Sequence, residues 1–190
     1  MTDEAPNRIR RAQPDDAARI MTLLDEAIQW LAVQRLDQWQ NSVNRQRAHL
    51  RTDIGAETVF LVECDEAVVA TITVDEFADS DFWKPSDNVK SALYVHRMAV
   101  ARAKAGMGLG SAMLDWAAAR AERCNKAWLR LDAWRTNGGL HVYYKDLGFE
   151  MVRNDLVPGR GSGALFQRPV TELHGGGPLL VDASAPLPLN

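Results

Sequence analysis

Apolar residues follow a helical rhythm early in the chain and then shift to strand-like runs. Ile20, Leu23, Leu24, Ala27, Ile28 and Leu31 recur at intervals of three and four, which predicts an amphipathic helix. A short strand over residues 8–11 precedes it, and Asp15 and Asp16, after Pro14, are placed to cap it. A more polar helix is expected over residues 44–54, ended by Gly55. The β-branched runs 59–63 and 68–74 flank Asp65-Glu66 and read as a hairpin. Residues 76–90 are polar, contain Pro85 and read as a connecting loop. A strand over 93–100, a glycine-rich turn and an alanine-rich helix over 111–124 follow. The pattern then gives a strand over 128–133 and a short helix over 139–147 stopped at Gly148. Last strands at 149–152 and 164–167 are joined by the loop 154–163.

This order mixes antiparallel meanders with crossover units. It predicts an α/β fold of the α+β type: a single mixed, mostly antiparallel central sheet with helices on both faces. With 190 residues, 46% of them hydrophobic, the chain can bury a core as one domain over residues 1–169. Residues 170–190 form a Gly/Pro-rich tail, in which Gly175, Gly176, Gly177, Pro178, Pro186 and Pro188 are expected to break any regular element.

Charge and composition narrow the function. A net charge of −3 with scattered basic residues gives no general attraction to nucleic acid or to an anionic membrane. No apolar run approaches the roughly 20 residues of a membrane helix, and no signal-peptide pattern opens the chain. Cys64 and Cys124 match no metal spacing, so no metal site is expected. The expected protein is soluble and cytoplasmic.

The first chemical signal is the turn Ala105, Gly106, Met107, Gly108, Leu109, Gly110, Ser111, between a predicted strand and a predicted helix. Glycines admit positive φ and leave no Cβ in the way of a ligand. The following helix offers unpaired N–H groups and the positive end of its dipole, a combination suited to pyrophosphate. The third glycine comes one residue too early for a dinucleotide fingerprint, and the Gly-Lys-Ser/Thr ending of a Walker loop is absent. The second signal is N-G-G-L-H-V-Y-Y-K-D-L-G-F. Here Asn137 is placed to cap a short helix and Tyr144 lies nearly two turns further on.

Together these segments resemble the GCN5-related N-acetyltransferases (GNAT). The family turn Arg/Gln-x-x-Gly-x-Gly/Ala falls on Ala105–Gly110, the preceding strand ends in Met98-Ala99-Val100, and Asn137, Tyr144 and Gly148-Phe149 match the later motif. The resemblance covers about residues 8–168. One departure is Ala105, where the family carries Arg or Gln; Arg102 or Lys104 are the side chains that would compensate. The resemblance implies an acetyl-CoA-dependent enzyme that moves the acetyl group to a primary amine of a small molecule or peptide, by direct attack on the thioester. Met98, Ala99 and Val100 would pair with pantetheine, and a backbone N–H of Met98 or Ala99 would polarise the thioester carbonyl. The strands at 93–100 and 128–133 would splay apart to admit it. The turn 105–111 and Asn137 would complete the cofactor site, and Tyr144 would return a proton to the leaving thiolate.

The base is left among several groups. His96 has a suitable ordinary pKa and is read as sharing a strand face with Tyr94, Met98 and Val100. Asp75 and Glu76 compete with it, and a water chain would also serve; His141 reads as surface. Trp30, Trp39, Trp83 and Asp75 are the candidate acceptor-binding residues, with Gln38, Asp79 and Asp81 nearby in sequence. Aromatic faces and carboxylates suit a cationic amine, whereas Arg153 and Arg160 would suit an anionic acceptor. Homodimers are common in the family, and no seam for one is readable here. The rival reading is a non-catalytic acyl-CoA-binding module of the same fold; a dinucleotide- or ATP-binding domain is more distant.

Overall fold

The computed structural model describes residues 6–40 and 43–184. In chain order its elements are β1 (Asn7–Arg11), α1 (Ala17–Val33), α2 (Val43–Gly55), β2 (Val59–Cys64), β3 (Ala67–Asp75) and β4 (Ala92–Val100). They are followed by α3 (Leu109–Arg123), β5 (Trp128–Trp134), α4 (Gly138–Asp146), β6 (Glu150–Asn154), β7 (Ser162–Pro169) and β8 (Leu180–Asp182). The strands form one mixed sheet in the order β6-β7-β5-β4-β3-β2-β1-β8. β1–β2, β2–β3, β5–β7 and β6–β7 are antiparallel, while β4–β5 and β1–β8 are parallel. This is the mixed α/β fold the pattern predicts. No described helix is long and apolar enough to cross a membrane.

The chain forms two compact units, and it passes between them within β3, β4 and α3 and again after Gly175. One unit comprises Met1–Thr73, Arg97–Met113 and Gly176–Asn190. Its core is the apolar face of α1 (Ile20, Leu23, Leu24) with Leu50 and Ile54 of α2, Val59 and Leu61 of β2, and Ala99 of β4. The hairpin turn is as read: Asp65 and Glu66 both take left-handed backbone, with φ of 49° and 63°, the pairing that matches the strands' own twist.

Two helix ends differ from the expectation. Asp16 does not cap α1 with its side chain. It accepts the Gln13 backbone N–H at 2.8 Å and the Arg10 guanidinium at 2.7 Å, so a partner on β1 claims it. Gly55 does not stop α2 as a left-handed residue; that role falls to Glu57, φ 60°. Thr58 N bonds to Asp53 O at 3.1 Å and Glu57 N to Ile54 O at 3.0 Å. This doubly bonded helix ending usually carries glycine at the left-handed position.

The second unit comprises Val74–His96 and Leu114–Gly175. The stretch between β3 and β4 is not merely a polar loop. It carries two short 3-10 turns, Pro85–Asp87 and Val89–Ser91, and sinks Phe82 and Trp83 into a cluster with Ala92, Tyr94 and Leu165. A fully buried Arg168 donates to Leu147 O and to Asp115 Oδ1, each at 2.8 Å. Asp115 also accepts the backbone N–H groups of His174 and Gly175.

The tail is more regular than expected. Beyond Pro169 the chain forms β8, which runs parallel to β1 with Asn7 opposite Leu180 and Ile9 opposite Asp182. The glycines before it allow close approach. A Cβ on Gly177 would lie 2.6 Å from Gly108 O and 2.8 Å from the Ala112 Cβ. Pro186 and Pro188 lie outside the described residues.

Candidate active site

The glycine turn belongs to the first unit. A 3-10 turn, Arg102–Lys104, follows β4, and Ala105 leaves it in extended backbone. Gly106 and Gly108 both stand at φ 77°, a conformation glycine adopts without the steric cost of a Cβ. A Cβ on Gly106 would meet nothing within 4 Å, so open space lies against that backbone. At Gly108 a Cβ would stand 3.0 Å from Gly177 Cα and 3.1 Å from Gly176 O, so one reason for glycine here is the chain's own C-terminal strap. The helix's first backbone bond runs from Ala112 N to Gly108 O at 3.0 Å. N–H groups before it have no carbonyl four residues back within the helix. Met107 is exposed, while Leu109, Gly110 and Ser111 are buried. Arg102 lays its guanidinium over the Trp30 ring, 4.0 Å from the centroid. One candidate for the missing Arg/Gln function is thereby engaged with α1, and so is one face of a candidate acceptor-binding tryptophan. Trp39 is partly buried against the α1–α2–β2 core.

β4 holds an irregularity that its sequence hides. Arg97 stands at φ 46°, in left-handed backbone within a strand. An ion pair with Asp53 and a 3.3 Å hydrogen bond to Thr73 Oγ1 hold its guanidinium. Strict alternation therefore stops at Arg97, and the shared face of Tyr94, His96, Met98 and Val100 is corrected: it does not continue past His96. The β4–β5 ladder runs from Ala92↔Trp128 to Val95↔Leu131.

In the second unit Asn137 is buried and caps α4, its Oδ1 accepting the Leu140 N–H at 3.3 Å. Gly148, φ 80°, ends that helix, with Phe149 N bonded to Tyr144 O at 3.0 Å. Tyr144 is enclosed by the rings of Tyr143, Phe149 and Phe166, with centroids 5.4, 5.7 and 5.6 Å away. Burial, aided by Tyr143 and Asp132, pushes its phenol well above the ordinary tyrosine range, so it stays protonated at neutral pH. His141 is half-buried rather than on the surface; its Nε2 lies 3.0 Å from Trp134 O.

The rival bases turn out to be partners. His96 Nε2 lies 3.1 Å from Asp75 Oδ1, with both side chains largely covered. Glu76 instead pairs with Lys126 at 2.9 Å and is mostly exposed. The sequence reading missed Asp132 of β5, which takes a hydrogen bond from Ser162 and interacts with His96, Asp79 and Arg160. Desolvation by burial pushes this carboxyl up. An acidic residue in a strand otherwise flanked by Leu131 and Ala133 was the available signal.

The charges offered for acceptor recognition largely satisfy one another. Arg160 pairs with both Asp79 and Asp81. Arg153 pairs with Asp155 at 3.0 Å and with Asp87. Burial opposes ionisation of Asp79, but Arg160 and the Asp81 N–H outweigh it and hold the carboxyl below its usual range. Trp83 is 2% exposed and packs edge-on to Tyr94 at 5.6 Å, with Arg130 over its ring at 4.9 Å. It is a core side chain, and its Nε1 finds no hydrogen-bond partner among the described residues.

Comparison with known proteins agrees with this fold. A family model described as acetyltransferase (GNAT) domain matches residues 55–151. An uncharacterised N-acetyltransferase of Bacillus subtilis, YesJ, is 32% identical over 162 residues, covering 83% of this chain and 87% of that protein. A GNAT-family acetyltransferase from Listeria monocytogenes has a similar fold, with TM-score 0.72, 23% identity, and coverage of 86% of this chain and 94% of that one. The PaiA N-acetyltransferase of Thermoplasma acidophilum, solved in complex with coenzyme A, aligns with TM-score 0.66 and 15% identity over 86% and 98% of the two chains. YncA of Salmonella typhimurium, solved with acetyl-CoA, aligns with TM-score 0.60 and 19% identity over 88% and 96%. The chain belongs to the GNAT family of acetyltransferases, and its activity class is N-acetyltransferase.

Proposed function

We propose that this enzyme transfers the acetyl group of acetyl-CoA to a primary amine of a small molecule or peptide, without a covalent enzyme intermediate. The observation that carries this reading is the turn between β4 and α3. Gly106 and Gly108 at φ 77°, with open space at Gly106 and the first turn of a helix immediately after, suit the pyrophosphate of coenzyme A. Ala105 offers no polar side chain and Arg102 lies on Trp30, so backbone N–H groups between Gly106 and Ser111 would hold the pyrophosphate. Met98, Ala99 and Val100 would pair with pantetheine, and Asn137 is assigned to the same cosubstrate. A backbone N–H at Met98 or Ala99 would steady the oxyanion that forms when the amine attacks, a contribution of roughly 3 kcal/mol.

His96, oriented by Asp75, is the base for the acceptor's ammonium, and Tyr144 is the proton donor to the leaving sulfur. Its phenol carries a proton at neutral pH, as a donor must, and burial makes it a weaker acid than a free tyrosine. Trp30, Trp39 and Asp75 remain the residues proposed for the acceptor. The test is coenzyme A release with a panel of small and peptide amines, read as free thiol. Release with at least one amine, lost in His96→Gln, is the expected result. Acetyl-CoA binding with no release across the panel would instead favour a non-catalytic acyl-CoA-binding module.

A further inference from the structure

Asp132 is a carboxylate that the reaction as written above does not use. Its position follows from strand register. The parallel ladder between β4 and β5 pairs Ala92 with Trp128 and continues in step to Val95 with Leu131. His96 and Asp132 are the residues that directly follow the last paired rung on the two strands, just before the left-handed Arg97 interrupts β4. Partners on a parallel ladder project from the same face of the sheet. The imidazole and the carboxylate thus emerge together.

Several described groups surround these two side chains. Asp75, at the end of β3, holds His96 Nε2 at 3.1 Å. The Phe77 ring lies 6.2 Å from the His96 ring. Ser162, at the start of β7, donates to Asp132. Asp79 and Arg160 interact with Asp132 but are ion-paired with each other, so their fields largely offset. Tyr144 of α4, the proposed proton donor, interacts with Asp132 as well. Asp132 therefore interacts with both ends of the proposed proton path.

We propose that His96 and Asp132 act as one proton-holding pair, and that this pair receives the ammonium proton of the acceptor. The assignment rests on the amine-acetylation reading above. In the step, the ammonium N–H bond breaks and its proton passes to the pair. The freed nitrogen lone pair forms the N–C bond as the C–S bond breaks, the sulfur takes its proton from Tyr144, and the second N–H proton, shed by the newly acetylated nitrogen, returns to the Tyr144 phenolate. Desolvation by burial pushes the Asp132 carboxyl up, toward sharing a proton with the imidazole beside it, which supports this use. Asp132 acts through His96 and is a positioning residue in that sense.

The test is made on the full chain by two readouts. The His96 imidazole is titrated by carbon-13 NMR, assigned with His96→Gln, and kcat/KM is followed against pH with an amine that supports thiol release. In Asp132→Asn the imidazole loses a negative neighbour. Its midpoint and the acid limb of kcat/KM should both move to lower pH by at least half a unit, with about a tenfold lower plateau. Ser162→Ala removes a hydrogen bond to the carboxylate and should move both to higher pH. It keeps the pair testable if Asp132→Asn does not fold. Midpoints within 0.2 units of wild type in the folded variants, or shifted midpoints with an unmoved acid limb, overturn the proposal. If no amine supports release, the acetylation reading fails, while the NMR titration still decides whether the two groups share a proton.

Discussion

Tyr144 and the two left-handed glycines are the residues on which the proposed chemistry turns most directly. Replacing Tyr144 by Phe keeps the ring among Tyr143, Phe149 and Phe166 and removes only the hydroxyl. The expected result is an unchanged thermal midpoint with single-turnover acetyl transfer slowed about 10²–10⁴-fold; an unchanged rate across pH would remove Tyr144 from the mechanism. The glycines separate two causes that the sequence had merged. Gly106→Ala meets only the cost of positive φ, about 1 kcal/mol, whereas Gly108→Ala also presses on Gly177 and should cost about 2–3 kcal/mol in denaturant unfolding. Local roles such as the Asn137 cap and the Gly148 stop were legible because their partners lie within a turn of chain. Asp16 and Trp83 were misread because Arg10, Tyr94 and Arg130 claim them through the fold. Asp132 was overlooked because its meaning depends on a neighbouring strand's register.

At the scale of elements, the sequence pattern placed the four described α-helices and all but the last described strand, with ends off by a few residues. Three- and four-residue intervals report burial directly, and α1 buries Ile20, Leu23, Leu24, Ile28 and Leu31 as that rhythm requires. The left-handed residues were not legible, since arginine and glutamate do not advertise positive φ. Arg35, φ 59°, ends α1 with Leu36 N bonded to Leu31 O at 2.9 Å. Arg35→Gly should therefore raise unfolding stability by about 1 kcal/mol, after the extra freedom of glycine in the unfolded chain is allowed for. β1, the 3-10 turn Pro14–Asp16 before α1 and β2 are joined by Arg10, whose guanidinium binds Asp16 and Glu63 at 2.7 Å each. Hydrogen bonding to Arg10 holds both carboxyls below their ordinary values of 3.8 and 4.5. Depressed folded-state values give stability that is complete above about pH 5 and lost as pH falls through the folded values. Urea unfolding at pH 6, 4 and 3 should show wild type losing more stability than Arg10→Met over that interval.

At the scale of the molecule, sequence order was enough to read a mixed α/β sheet, because hairpins and crossovers leave few topologies. It did not reveal that the tail supplies an edge strand, since three consecutive glycines and a proline carry no periodic signal. The reading of the cosubstrate is also tested at this scale. Acetyl-CoA at a hundred times its dissociation constant should stabilise the folded enzyme by about 2.7 kcal/mol, a rise in thermal midpoint of roughly 5–10 °C. NAD and ATP at the same concentration should leave the midpoint in place; a shift with either and none with acetyl-CoA would sink the assignment.

The parallel pairing of β1 with β8 has a kinetic consequence. Asn7 meets Leu180 and Ile9 meets Asp182, so this rung joins residues near opposite ends of the described chain. Closing so long a loop is entropically costly until the intervening strands have already shortened it. During synthesis β1 emerges first and must wait for a partner made much later, with β2 as its sole neighbour meanwhile. The glycine turn waits likewise, because Gly176 and Gly177 reach Gly108 only once that last stretch has left the ribosome. A nascent chain halted anywhere between the turn and Gly176 would carry an uncovered glycine turn and an open sheet edge.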